Sequence, residues 1–152
     1  MAWERTFAML KPDTVQRGLI GEVLVRLERK GFRLAAMKLI QVTEEQARQH
    51  YAVHEGKPFY DRLVRYIMSS PVVALVLEAP DAVRQLRQFV GATKPNEAAP
   101  GSIRGSLGVD ISNNIIHASD SPENAAYETG VYFTPEEILS YTRAADVWLV
   151  GE

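Results

Sequence analysis

The chain has 152 residues, 46% hydrophobic and 24% charged, with a formal net charge of −2 and no cysteine. At this length one compact domain spanning residues 1–152 is expected, and the composition excludes disorder and fibrous repeats. The slight negative charge gives no general attraction to nucleic acid or anionic membrane, so any polyanion must meet a local basic site. Lack of cysteine removes disulfides, thiolate metal sites and thiol catalysis. Met1 to Arg5 carries charges where an export signal needs an apolar core, and the apolar run Val72 to Leu77 is too short to span a bilayer; both predict a soluble cytoplasmic protein.

Thr6 to Leu10 reads as a short buried strand. Ile20, Val23, Leu24 and Leu27 then recur at helical spacing until Gly31 supplies a stop. Leu34 to Val42 is a second strand. Thr43 with Gln46 three residues on forms a capping box opening a helix toward Tyr51, and Leu63, Val64 and Ile67 share one face of a helix over Tyr60 to Met68. The β-branched run Val72 to Leu77 reads as a buried central strand, after which Asp81 caps a helix through Val90 with Val83, Leu86 and Phe89 or Val90 inward.

Gly91 to Gly108 is rich in glycine, contains Thr93, Lys94 and Arg104, and has little apolar periodicity, so it reads as a long loop of the kind that usually carries function. Ile115-Ile116-His117 is a short strand, Ser121-Pro122-Glu123 starts a helix, and Thr134-Pro135-Glu136-Glu137 repeats that grammar. Strand-helix-strand, a helical pair, then strand-helix-strand is the order of an α+β, ferredoxin-like split β-α-β sandwich. It predicts a four-stranded antiparallel sheet covered by helices on one face.

The usual phosphate-binding motifs are missing. Gly56-Lys57 has Tyr51 where a P-loop needs its first glycine, and Gly101, Gly105 and Gly108 lack dinucleotide-fingerprint spacing. His50 and His54 stand four apart on a helix, but without a third ligand they read as solvated histidines. The informative stretch is Asn114-Ile115-Ile116-His117-Ala118-Ser119-Asp120-Ser121. Its histidine ends an apolar strand and faces a helix start, where free amides favour anions.

That stretch is very similar to the active-site signature of the nucleoside diphosphate kinases. Arg5-Thr6-Phe7-Ala8-Met9-Leu10-Lys11-Pro12-Asp13, Gln16-Arg17-Gly18-Leu19-Ile20-Gly21-Glu22, Ser70-Pro71-Val72-Val73-Ala74 and Pro100-Gly101-Ser102-Ile103-Arg104-Gly105 resemble the same family in the same order. The resemblance covers essentially the whole chain. It implies transfer of the γ-phosphate of a nucleoside triphosphate to a nucleoside diphosphate through a phosphohistidine, by ping-pong kinetics and with broad base specificity.

By this resemblance His117 is the nucleophile, Glu128 its orienting carboxylate, and Lys11, Arg87 and Arg104 the phosphate cations. Thr93 and Tyr51 donate hydroxyl hydrogen bonds, Asn114 with Lys11 lies near the ribose, and Phe59, Leu63 and Ile111 form an apolar slot for the base. Mg2+ is implied on the nucleotide phosphates, with Asp120 limited to a contact through water. A homo-oligomer is also implied, the C-terminal segment ending Trp148-Leu149-Val150 being closer to the hexameric than to the tetrameric type.

Four positions depart from the family pattern: Thr14 for glycine, Lys94 for asparagine, Ser106 for aspartate and Ala118 for glycine. Ala118 would limit the backbone beside the nucleophile if its native φ were positive. Two other classes of protein share parts of this reading. An RNA-binding module uses the same sandwich, but the charge is wrong and an aromatic RNA-binding strand is lacking. A silent nucleotide-binding relative would have lost the histidine or the cations, and this chain retains all of them.

Overall fold

The computed structural model describes residues 2–151; Met1, part of the N-terminal stretch read above, and Glu152 lie outside them. Four strands, β1 (Trp3–Leu10), β2 (Arg33–Ile40), β3 (Val72–Pro80) and β4 (Ile116–Ala118), form one antiparallel sheet in the order β2-β3-β1-β4. This is the split β-α-β topology. Its helices are α1 (Pro12–Gln16), α2 (Ile20–Lys30), α3 (Glu44–His50), α4 (Tyr60–Ile67), α5 (Ala82–Val90), α6 (Ile103–Leu107) and α7 (Pro122–Tyr132).

The sheet is covered on both faces, which corrects the one-faced expectation. Alternate residues of β1 and β3 enter different cores: Ala8, Leu10, Val73, Leu75 and Leu77 pack with Val23, Leu27, Leu86 and Val90 of α2 and α5. Phe7, Met9, Val72, Ala74 and Val76 pack instead with Ala47, Val64, Ile67 and Tyr132 of α3, α4 and α7. A central strand buried on both sides must be apolar throughout, which accounts for the unbroken run in β3.

Local chemistry sets the ends of the elements. Gly31 closes α2 at φ 117°, a conformation that strains any residue with a Cβ. The Thr43 hydroxyl accepts from the Gln46 N–H while the Gln46 side chain accepts from the Thr43 N–H, so the predicted capping box is made. The Asp81 cap is not made. Asp81 sits in the left-handed region with its carboxylate on Arg84, and Glu4 of β1 accepts from the Val83 N–H at 2.8 Å instead. The predicted long loop also contains α6, where the Ser102 hydroxyl accepts from the Gly105 N–H. A side chain at Gly105 would collide with the Ala99 carbonyl oxygen. The helix start read at Thr134 yields a single turn, Pro135–Glu137.

Candidate active site

The edge strand β4 pairs with the end of β1, His117 opposite Met9 and Ile116 opposite Leu10. Lys11 follows β1 directly, so its ammonium emerges beside the histidine. Opposite residues share a face of the sheet, and His117 thereby projects on the side covered by α3, α4 and α7. Phe7 lies on that face with its ring centroid 6.1 Å from the imidazole, stacked in turn on Tyr132 at 5.3 Å.

His117 Nε2 and Glu128 Oε1, from α7, are 2.8 Å apart, and the Ser119 hydroxyl donates to the same carboxylate oxygen. Burial pushes the Glu128 carboxyl up, but the hydrogen bond and charge of His117, with the Ser119 hydroxyl, outweigh it and hold the group below the ordinary glutamate range. A carboxylate there makes Nε2 the protonated nitrogen. Nδ1 has no protein hydrogen-bond partner among the described residues and keeps its lone pair.

The histidine opens into a cleft of about 270 Å³ whose lining includes Lys11, Arg87, Arg104, Tyr51, Thr93 and Asn114. The Lys11 ammonium donates to Asn114 Oδ1 at 2.6 Å, and the Asn114 amide donates to the Thr93 carbonyl at 2.9 Å. Burial, reinforced by the charge of Arg104 and opposed by Asp13, brings Lys11 down to about 8. Arg104 donates to the carbonyls of Asn114, Gly91 and Ile116, and burial followed by the charge of Arg87 lowers it to about 10. Arg87 makes a single bond, to the Ala118 carbonyl at 3.1 Å. Burial raises the Tyr51 phenol to about 12, with a smaller push from Glu128, so it stays a hydroxyl donor.

Cleft and predicted base slot are distinct. Phe59, Leu63 and Ile111 are not in the lining, and Phe59 and Ile111 are 37% and 46% exposed. Phe59 instead sets its ring against His54, which does line the cleft, at 5.3 Å.

His50 overturns the reading of two solvated histidines. It is buried, its Nδ1 lies 2.8 Å from the Tyr132 hydroxyl, and its ring centroid is 4.8 Å from that of His117. Ala47, three residues earlier on the same face of α3, is buried as well, and that i, i+3 spacing was the signal in the sequence. His54, Asn124 and Tyr127 also line the cleft and were not anticipated. Of the departures at Thr14, Lys94, Ser106 and Ala118, Ala118 lines the cleft and the other three do not. Ala118 is not among the positive-φ residues; the non-glycine residue with that conformation near His117 is Ile115, at φ 76°.

His50, His117 and Glu128 bring three ligating atoms within 4.8 Å of one another. Ligands around a zinc ion with bonds of ~2.1 Å stand roughly 3–3.5 Å apart. The His117 Nε2–Glu128 Oε1 pair, at 2.8 Å, would have to open, beside three cations and with the carboxylate oxygen already accepting two hydrogen bonds. With Lys11, Arg87 and Arg104 lining the same cleft, the surroundings suit an anion better than a resident metal.

Fold and site together define a ferredoxin-like α+β domain with a cation-lined cleft around a carboxylate-bonded histidine. Residues 4–138 match the family model described as nucleoside diphosphate kinase. The nucleoside diphosphate kinase of Archaeoglobus fulgidus is 52% identical over 98% of this chain and 99% of its own, and that of Desulfitobacterium hafniense (strain DCB-2) 54% over 96% and 98%. The solved structure of a halophilic nucleoside diphosphate kinase from Halobacterium salinarum, in complex with CDP, superposes with a TM-score of 0.94 at 47% identity, covering 99% of this chain and all of that one. This chain belongs to the nucleoside diphosphate kinase family.

Proposed function

We propose that this protein transfers the γ-phosphate of a nucleoside triphosphate to a nucleoside diphosphate, with His117 as the carrier. The observation that supports this most directly is the split of the His117 ring: Nε2 on Glu128, Nδ1 open to a cleft with Lys11, Arg87 and Arg104. The Nδ1 lone pair attacks the γ-phosphorus, the bond to the β,γ-bridging oxygen breaks, and the nucleoside diphosphate leaves with that electron pair. Glu128 balances the positive charge that develops on the ring through the Nε2–H bond. In the second half, a terminal phosphate oxygen of the acceptor attacks phosphorus, the P–N bond breaks, and His117 recovers its lone pair. Phosphoryl transfer spreads negative charge over three oxygens, and the clustered cations are suited to it.

Lys11, Tyr51, Arg87, Thr93, Arg104 and Asn114 are assigned to the phosphates and ribose, and Phe59, Leu63 and Ile111 to the base. An exposed aromatic ring such as Phe59 stacks on any base, so broad base specificity follows. Of the cleft carboxylates, Glu128 is engaged by His117 and Ser119, and Asp120 accepts from the Asn124 amide through Oδ1. Mg2+ therefore fits as an ion carried by the nucleotide phosphates, neutralising their charge, with Asp120 reaching it through water.

Self-association, as a hexamer, is part of the same reading. Met37 and Leu39 on the edge strand β2 are 53% and 66% exposed, and Trp148 near the C-terminus is 87% exposed. Light scattering measures the assembly. Among the described residues no helix is long and apolar enough to cross a membrane, and a cytoplasmic location is proposed with it.

The test is phosphoenzyme chemistry. Labelled ATP should leave an acid-labile, alkali-stable label on the protein that a nucleoside diphosphate removes, with parallel double-reciprocal lines. His117→Ala should abolish label and transfer together. A folded His117→Ala protein that still exchanged phosphate would refute the proposal, and intersecting lines in the wild type would indicate direct transfer instead.

A further inference from the structure

We infer that Thr14 is a positioning residue for His117, acting through the strained turn at Ile115. Ile115 is fully buried and holds φ 76°, which a β-branched residue adopts only when its surroundings enforce it. The Ile116 N–H bonds back to the Asn114 carbonyl at 2.9 Å, closing a tight turn around Ile115 immediately before β4. Strand β4 has only three residues, so its ladder with β1 is short, and the turn largely sets how His117 is presented.

The groups that hold this turn converge from one place. The Ile115 N–H donates to Asp13 Oδ2 at 3.1 Å. The Ile115 carbonyl accepts from the Lys11 backbone N–H at 2.9 Å and from the Thr14 hydroxyl at 2.6 Å. The hydroxyl bond joins residues 101 positions apart, and Thr14 is fully buried in the first turns of α1. Asp13 is itself held by the Tyr66 hydroxyl on its other oxygen. Of the contacts made to Ile115 itself, the Thr14 hydroxyl is the one that an isosteric change removes without touching a backbone amide or a charge.

Bonding both amide and carbonyl of one strained residue fixes the orientation of the peptide planes on either side of it. Without the hydroxyl, the Ile115 carbonyl retains the Lys11 amide but loses the donor that opposes relaxation of φ toward negative values. A small rotation there tilts β4 and moves Nδ1 of His117 relative to the Lys11 ammonium, which rides on the same corner. Misplacement by a fraction of an ångström is felt in phosphoryl transfer, where in-line geometry dominates the rate. The Thr14 hydroxyl bonds the Ile115 carbonyl and none of the side chains assigned to the nucleotide, so the effect of removing it belongs in the chemical step.

The experiment compares wild type with Thr14→Val, Thr14→Ser and Thr14→Ala, following phosphoenzyme formation in single turnovers and, separately, the imidazole nitrogen resonances of His117. Because the inference rests on the phosphohistidine reading, the wild type is examined first. A wild type without phosphoenzyme at His117 defeats that reading, and with it this one, before any variant is made. Given a wild-type phosphoenzyme, Thr14→Val should slow its formation about tenfold with KM changed less than twofold, and should shift the His117 ring resonances. Thr14→Ser should restore both. If Thr14→Val fails to fold, Thr14→Ala, which removes the hydroxyl with less apolar bulk, must show the same split. Wild-type chemistry in a folded Val or Ala variant, or a Ser variant as slow as Val, overturns the inference while leaving the carrier role of His117 untouched.

Discussion

His117 and His50 stand edge to face with ring centroids 4.8 Å apart, yet of the two imidazoles it is His117 that Glu128 bonds. His50 has the Tyr132 hydroxyl as its partner and is brought down to about 3, chiefly by burial and then by His117, with Lys11 adding to this and Glu128 opposing it. Two imidazoles of the same intrinsic basicity are thus given different tasks by their surroundings. One faces the cleft with an open lone pair, and the other remains a neutral wall.

That arrangement makes stability sensitive to acid. Unfolded, His50 takes up a proton near 6.5; folded, it does so only near 3. Between those values the unfolded chain binds more protons, so stability rises with pH. The contribution of a neutral His50 is complete above 6.5 and is lost progressively as pH falls toward 3, with an upper bound of about 5 kcal/mol. Urea unfolding of wild type and His50→Asn at pH 7 and pH 4.5 should show the wild type losing markedly more. Equal losses would assign the acid sensitivity to other groups.

Lys11 governs the alkaline side. Its ammonium, lowered to about 8, loses its proton within reach of assay, and kcat/KM should fall as pH rises through that value. A bound triphosphate favours the charged form, so the corresponding fall in kcat belongs at higher pH. Folding responds in the opposite sense: the native state binds fewer protons than the unfolded chain between about 8 and 10.5, so this group adds stability as pH rises there. Lost activity with retained structure therefore separates the two effects. Lys11→Arg should flatten the alkaline limb at a lower overall rate, and an unchanged limb would assign it elsewhere.

What was legible in the sequence followed patterns that repeat locally. The four strands, α2 and the Thr43 box were read from periodicity and caps because each is decided within one turn or one strand. Helix α6 was missed because Arg104 and Gly105 interrupt any apolar stripe; its helicity comes from the Ser102 cap and close packing on Ala99. The substitution of Glu4 for Asp81 as the cap of α5 joins residues 79 apart, beyond any local signal. Ile115 reads as a strand residue by propensity, and only bonds to Lys11, Asp13 and Thr14 hold it at positive φ. His117, Lys11 and the arginines were found by resemblance, whereas the burial of His50 required the two-faced sheet.

Glu128 offers a test of orientation against charge. Glu128→Gln keeps an oxygen able to accept from Nε2–H but removes the negative charge that balances the developing imidazolium, and should cost roughly 10-fold to 100-fold in kcat. Glu128→Ala also frees the tautomer and should cost more. Single-turnover labelling measures both. Equal rates for Gln and wild type would reduce Glu128 to a positioning contact.

Arg87 and Arg104 are equivalent in the sequence reading but not in their bonding. Arg87 gives one hydrogen bond to the Ala118 carbonyl, whereas buried Arg104 serves the carbonyls of Asn114, Gly91 and Ile116 and so ties the segment after α5 to the turn before β4. Removing a donor from a buried carbonyl carries a desolvation penalty of about 1–3 kcal/mol for each group left unpaired. The Asn114 carbonyl retains the Ile116 N–H, so Arg104→Ala leaves the other two most exposed to this loss. Arg104→Ala is accordingly expected to lower unfolding free energy by about 3 kcal/mol as well as to lose on the order of 10²-fold in kcat/KM. Arg87→Ala should lose a comparable amount of activity with its unfolding midpoint within a few degrees of wild type. Thermal unfolding beside steady-state kinetics separates the two: equal destabilisation by both substitutions would mean that the three carbonyl bonds of Arg104 contribute nothing beyond its charge.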